Sequence, residues 1–395
     1  MITPYYGEFL TSPYPLEMSL NWCTHGCKFC FANLNTPDRK ADVKAITNLI
    51  RDHQNRETIV AQLMRGRYPI LISNKVDPFA ASNHKIAIPI MRTLSEMGFP
   101  IAIQTRGGRG VEEVLGWLPK SHWYISIGHL DEDVRKRVEP GAPPIADRLA
   151  LIERLVSLGH VVTIGANPLV PDWCPNPSEL FTEVKKRGAA GAWIETLHLN
   201  NNQTREMSER DRLAIGEAII GKAMVKNTPA DWQHYFIDAM DAARACGLEV
   251  YCINNPQSSG YWLEAAKLYP VRFPVMQEFV NWCHAQRKPG DLIWFEDLWR
   301  CIGAGLPGFR KSISDYIGAT TPQIKNSITI PKDAGFKTLL SILWSQSKAK
   351  QYPAKLWCFD EAFEMDGEEK AWLDDENGFP VFRFTGRGVQ RKVVK

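Results

Sequence analysis

Eight consecutive residues, Cys23-Thr24-His25-Gly26-Cys27-Lys28-Phe29-Cys30, constrain this chain more than any other stretch. Their three thiols, at x3 and x2 spacing, directly follow the largely apolar run 16–22. Soft thiolates that close together can hold one face of an iron–sulfur cubane, whose four irons need four ligands. Three ligands leave one iron open, able to chelate a small molecule and pass it an electron. A zinc site is the competing reading, with Cys23, Cys27 and Cys30 joined by His25 or a distant residue. Structural zinc commonly uses two paired ligand sets, and no second Cys-x-x-Cys pair occurs in the chain.

A chain of 395 residues that is 44% hydrophobic can bury one large core and a smaller module. The first ten residues show no basic run leading into an apolar core, and no segment approaches ~18 uninterrupted apolar residues. A soluble, cytoplasmic protein with no membrane partner is therefore expected. Nine cysteines is an odd number, and free thiols in a reducing compartment suit it better than disulfides. A net charge of +3 is too mild to establish a polyanionic partner, so the distribution of charge matters more than its sum.

Along the chain, strands and helices alternate. Residues 16–21 read as a strand that delivers the thiol loop, 38–64 as a helix and 69–73 as a short buried strand. Helices over 84–97, 111–118, 146–158 and 177–187 then alternate with strands over 101–105, 123–127, 161–166 and 192–197. This succession predicts an α/β fold: a partial (β/α)6 TIM-like barrel with parallel strands, spanning residues 1–260. In such barrels the chemistry sits at the C-terminal ends of the strands, where the thiol loop falls.

Several motifs narrow the reading. The thiol loop, Asp77-Pro78-Phe79 after the second strand, Glu139-Pro140-Gly141-Ala142-Pro143-Pro144 with Arg148, and Asn167-Pro168-Leu169-Val170-Pro171 occur in this order. Together they resemble the radical S-adenosylmethionine (SAM) superfamily, in its spore photoproduct lyase-like branch, over roughly residues 16–200. The resemblance implies a [4Fe–4S] cluster on Cys23, Cys27 and Cys30 that binds SAM and cleaves it reductively to a 5′-deoxyadenosyl radical. It also implies an electron donor such as flavodoxin or ferredoxin.

Carried over position by position, the resemblance sets Phe29 beside the adenine and the SAM amino group near Ser73 and Asn74. The SAM carboxylate is expected at Thr105, Arg106 and Ser126, because a guanidinium can give a carboxylate two parallel hydrogen bonds. Asn167 is expected at the ribose or adenine. Glu139 and Arg148 read as a structural ion pair bracketing the proline turn. The lyase of this branch carries a hydrogen-donating cysteine just after the second strand, where this chain has Ile72-Ser73-Asn74-Lys75-Val76-Asp77. Cys174, beyond the fifth strand, is the remaining thiol near the reactive face and the candidate donor. Without a donor, the pattern suits a rearrangement in which the product recovers hydrogen from 5′-deoxyadenosine.

Thr228-Pro229-Ala230-Asp231 reads as a helix start, and 248–254 as an extra strand. Residues 261–395 are expected to form a smaller α+β accessory domain. Short helices over 293–303 and 309–317, with a hairpin of 356–363 and 379–384, would give it a winged-helix-like form. Between residues 301 and 358, eight Lys/Arg face two Asp, and the tail from 383 is basic again. Such a surface suits a phosphate backbone.

The first function expected is a lyase- or isomerase-type radical SAM enzyme acting on a nucleic-acid base, DNA being favoured. A base in a duplex would have to flip out to reach a barrel interior. The alternatives are radical modification of a peptide or small metabolite, and a non-enzymatic zinc-held nucleic-acid-binding protein.

Overall fold

The computed structural model describes residues 2–4, 16–18, 20, 22–30, 41–56, 59–65, 67, 69–73, 76–224, 230–251, 274–302, 344, 362–364 and 373–387. Its strands in chain order are β1 (Ile2–Pro4), β2 (Leu16–Met18), β3 (Ile70–Ile72), β4 (Ile101–Thr105), β5 (His122–Ser126) and β6 (Val161–Leu169), then β7 (Gly191–Thr196), β8 (Glu249–Tyr251), β9 (Leu292–Ile293), β10 (Phe363–Glu364), β11 (Leu373–Asp374) and β12 (Pro380–Phe384). The chain divides into two compact units, one of Met1, 18–51 and 70–268, the other of 2–17, 52–69 and 269–395.

In the first unit, β3 to β8 pair in parallel and in sequence order. This is the α/β partial barrel that the alternation predicts. Strands covered on both faces read as continuous apolar runs, and Ile70-Leu71-Ile72 is buried throughout. The helix Ile145–Ser157 buries Ile145, Leu149, Ile152 and Leu155 at helical spacing and stops before Gly159, whose φ of +79° suits a residue without Cβ.

Three features depart from the expected elements. The single helix over 38–64 is instead Val43–Arg51, a 3-10 turn at His53–Asn55 and Ile59–Arg65. The break has a local cause: the Asp52 carboxylate accepts from Asn55 Nδ2 at 2.9 Å and Arg56 Nε at 3.1 Å, closing a turn. A helix over Glu132–Val138 precedes the proline turn, capped by Asp131, whose carboxylate accepts from the amides of Asp133 and Val134. After β7 come three short helices, Asn201–Glu206, Glu209–Ile215 and Glu217–Ala223.

The second unit is α+β. Helices Pro274–Gln286 and Phe295–Ile302 accompany β12, which pairs antiparallel with β9, β10 and β11. Phe279, Phe295, Trp344 and Phe382 are buried together, and Trp344 Nε1 donates to Pro380 O at 2.6 Å. The expected pairing of the 356–363 segment with 379–384 appears as Phe363 opposite Phe384, while the helix expected over 309–317 lies outside the described residues. No described helix is long and apolar enough to cross a membrane.

Candidate active site

The thiol loop lies after β2 and is held from two sides. On one side, Trp22 O accepts from Ser82 Oγ at 2.9 Å and Asn83 Nδ2 at 3.3 Å, while Ser82 N donates to Thr24 Oγ1 at 3.2 Å. On the other, Gly141 N donates to His25 O at 2.8 Å and Lys28 N to Val138 O at 2.9 Å. A Cβ on Gly141 would sit 2.3 Å from Thr24 O, so only glycine lets the proline turn approach this closely. Gly26, at φ +62°, supplies the left-handed residue that turns Cys27 inward. Cys27 is buried, and Cys23 and Cys30 are half-buried.

Two buried carboxylates organise the wall opposite the thiols. Asp77 Oδ1 accepts from Thr105 Oγ1 at 2.7 Å and Phe79 N at 2.9 Å, and Oδ2 accepts from Arg106 N at 2.6 Å. His25 Nε2 lies 3.1 Å from Asp77 Oδ2, and its Nδ1 lies 3.0 Å from the Gly141 carbonyl oxygen, to which only a protonated nitrogen can donate. Burial pushes the Asp77 carboxyl up, but His25, the Arg106 amide and the Thr105 hydroxyl outweigh it and hold the pKa below the usual range. Glu139 sits between two guanidinium groups, Arg106 Nε at 2.8 Å and Arg148 Nη2 at 2.7 Å. Burial opposes its ionisation, yet those two charges bring its pKa down to about 2. Arg106, so held, stacks over the Phe29 ring at 5.9 Å.

One cavity is lined by Cys23, Cys27, Cys30, Ser73, Asp77, Gln104, Thr105, Arg106 and Ser126. A second is lined by Phe29, Gly128, His129, Glu139, Asn167 and Trp173, and Arg106 and Ser126 border both. The structure thus brings together nearly all the residues singled out in the sequence. Thr105 is engaged on both sides, donating to Asp77 and accepting from Gly107 N at 2.7 Å. Asn74 lies outside the described residues. Cys174 is not among the residues lining either cavity; it is buried, its carbonyl accepts from the Tyr235 hydroxyl, and burial pushes its thiol up to about 11.

Sequence reasoning missed Gln203, whose Nε2 donates to Phe29 O at 3.5 Å from the helix after β7. Its signal was present as the capping box of Asn200 and Gln203, which donate and accept reciprocally. Phe29 rests 5.6 Å from Trp173, within a cluster that includes Val138, Val170 and Trp232.

The three thiols suit an iron–sulfur cluster. Burial pushes the Cys27 thiol well up and raises Cys23 as well, with the neighbouring Arg106 charge acting in the opposite sense. Thiolates in such a place need a strongly positive partner, which an iron cluster supplies. Among the described residues, no three His, Cys, Asp or Glu side chains converge as one metal ion would require. A cubane asks less convergence, because its irons take one thiolate each.

Residues 19–173 match the Radical SAM superfamily. The match spans the thiol loop and continues through β6 to Trp173. The cofactors of that family are a [4Fe–4S] cluster and SAM. Uncharacterized proteins of Mycobacterium tuberculosis and Mycobacterium bovis are each 24% identical over 205 residues, 46% of this chain and 57% of theirs. The chain therefore spans little more than half the length of these curated relatives. Among solved structures, spore photoproduct lyase complexed with dinucleoside spore photoproduct is 14% identical, covering 60% of this chain and 77% of its own, with a TM-score of 0.45. SuiB of Streptococcus suis bound to S-adenosylmethionine is 16% identical, covering 65% and 56%, with a TM-score of 0.42. Likenesses of this size carry nothing about substrate or reaction.

Proposed function

We propose that this chain is a radical SAM enzyme that modifies or rearranges a nucleic-acid base, with DNA the favoured polymer. The observation that carries the proposal is one cavity walled by three cysteines, Ser73, Arg106 and Ser126, inside the segment that matches the superfamily. A [4Fe–4S] cluster on Cys23, Cys27 and Cys30 would supply one-electron reductive cleavage of SAM, with flavodoxin or ferredoxin as the donor.

The chain's own residues place and shield the reactants. The Arg106 side chain, fixed by Glu139 through Nε, turns its guanidinium to the cavity as a partner for the SAM carboxylate, with Ser126 beside it. Asp77 fixes the Arg106 backbone through its amide. Phe29 and Asn167 border the adjoining cavity and serve the adenosine moiety. Ser73 and Asn74 serve the SAM amino group. Burial of Cys27, on a loop clamped from both sides, shields its sulfur from water. Among the described residues the thiols lining the two cavities are the three cluster ligands, which favours an isomerase-type outcome over a lyase with a thiol donor. Cys174 remains the candidate donor should the reaction need one. The basic run 301–358 supports a phosphate-bearing substrate.

The test is anaerobic incubation of reconstituted protein with SAM, dithionite and single-stranded or duplex DNA, followed by nuclease digestion and mass analysis of the nucleosides. A new or isomeric nucleoside that depends on SAM is expected. Unchanged nucleosides from DNA and RNA, with modification of a peptide instead, would overturn the choice of substrate.

A further inference from the structure

The sheet carries a second polar corner, at Trp193, Glu195 and Tyr124, outside the residues proposed above for the cluster and SAM. Trp193 and Glu195 lie two apart on β7 and so share a face, and Trp193 Nε1 donates to Glu195 Oε2 at 3.1 Å. On the neighbouring strand, Gly165 pairs in register with Trp193 on one side and Ser126 on the other. A Cβ on Gly165 would meet the Tyr124 ring and hydroxyl at 2.1–2.2 Å, so the glycine opens the space through which Tyr124 leans across β6. The Tyr124 side chain there bonds Asn167 and feels the charge of Glu195. Asn167 in turn lines the cavity shared with Phe29 and Arg106. This corner therefore adjoins the expected adenosine position.

Glu195, half-buried, differs from the buried carboxylates Asp77 and Glu139. Glu139 has two guanidinium groups on it, whereas the Glu195 side chain is 13% exposed and its described ion-pair neighbour is the His198 imidazole, at 3.8 Å, 56% exposed and held below its ordinary pKa by burial.

We infer that Glu195, flanked by Trp193 and Tyr124, reads the hydrogen-bonding edge of the substrate base, pairing with an adjacent N–H donor and acceptor on a planar heterocycle. The inference rests on the nucleic-acid reading above and deepens it. A flipped base is read by hydrogen bonds to its edge, for which a carboxyl is one suitable partner, and by stacking on aromatic side chains. Burial pushes the Glu195 carboxyl up to about 7, against the opposing Trp193 N–H. Below about pH 7 it therefore carries a proton on one oxygen and accepts at the other, which matches a donor–acceptor edge. Among the described residues, the titratable groups on its face are Tyr124 from β5, His198 from the exit of β7 and Tyr251 from β8, in register with Trp193.

The test uses the anaerobically reconstituted holoenzyme and its E195Q and E195A variants, with deoxycytidine and thymidine as probes in equilibrium dialysis. Wild-type binding should be present at about pH 6 and weaken several-fold by about pH 8.5, as the proton is lost above the raised pKa. E195A should bind about tenfold more weakly at the lower pH, the cost of an unmade edge pair. E195Q should retain binding and lose the pH dependence, because an amide keeps one donor and one acceptor at every pH. Binding equal in E195A and wild type, or E195Q as weak as E195A, would overturn the inference. Wild-type release of 5′-deoxyadenosine from SAM, measured separately, separates the failures. Release with nucleoside binding that is indifferent to E195A removes this inference alone, release without any nucleoside binding removes the nucleic-acid reading with it, and absence of release removes the radical reading.

Discussion

Two buried acids and a half-buried one in a single barrel show how neighbours decide a carboxylate's role. Asp77 is spent on structure, its oxygens taken by Thr105, Phe79 and Arg106. Glu139 is a charge lock, and its removal by Glu139→Gln leaves Arg106 and Arg148 facing a neutral group. That variant should lose about 3–5 kcal/mol in denaturant unfolding of the apoprotein near neutral pH. The sign of its pH dependence follows from a folded pKa near 2 against an ordinary value of 4.5. The lock's contribution is complete above about pH 4.5 and disappears as the pH falls through about 2, so wild type and variant should converge there. At Gly141, Ala substitution pushes a methyl against Thr24 O. The thiol loop must then shift, and reconstituted Gly141→Ala should hold well below the roughly four irons of a full cluster, read by iron and sulfide assay. The cysteines were legible in the sequence because their spacing is local. Arg106 on Glu139 was not, since that contact spans 33 residues and depends on where two strands end. Glu195 was hidden for another reason: an acid alternating with apolar residues on a strand looks like a solvent-facing position.

At the scale of elements, the parallel strands were legible from their buried apolar runs, and the helix Ile145–Ser157 from its periodic face and its terminal glycine. The continuous helix over 38–64 was not correct, because Asp52 closes a turn that hydrophobic periodicity does not register. The three helices after β7 are each six or seven residues long, too short for a period of 3.6 to stand out. Their caps were the readable signal. Asn200→Ala removes the acceptor for Gln203 N, formed at 2.9 Å. It should cost about 1 kcal/mol in thermal or denaturant unfolding. It should also loosen the bond from Gln203 to Phe29 O, raising the Kd for SAM more than the variant's small stability loss would.

At the scale of the whole molecule, the partial barrel carries the thiol-walled cavity and the second unit carries the aromatic cluster around Trp344 and Phe382. The sequence analysis expects an accessory domain over 261–395, and the second unit takes in 2–17 and 52–69 as well as 269–395, returns that sequence distance hides. If the basic run 301–358 holds a phosphate backbone, affinity for DNA should fall linearly in log–log form with salt. Changing Lys348, Lys350 and Lys355 together to Gln should reduce that slope by up to about 3, roughly 0.9 for each phosphate no longer neutralised. The thiol-walled cavity remains the foundation for every functional statement about the chain. Its most direct measurement is 5′-deoxyadenosine formed from SAM and dithionite by the anaerobically reconstituted protein, compared with Cys27→Ala. Release by the wild type and none by the variant is the predicted result. No release by an iron-loaded wild type, or equal release by both proteins, would contradict it.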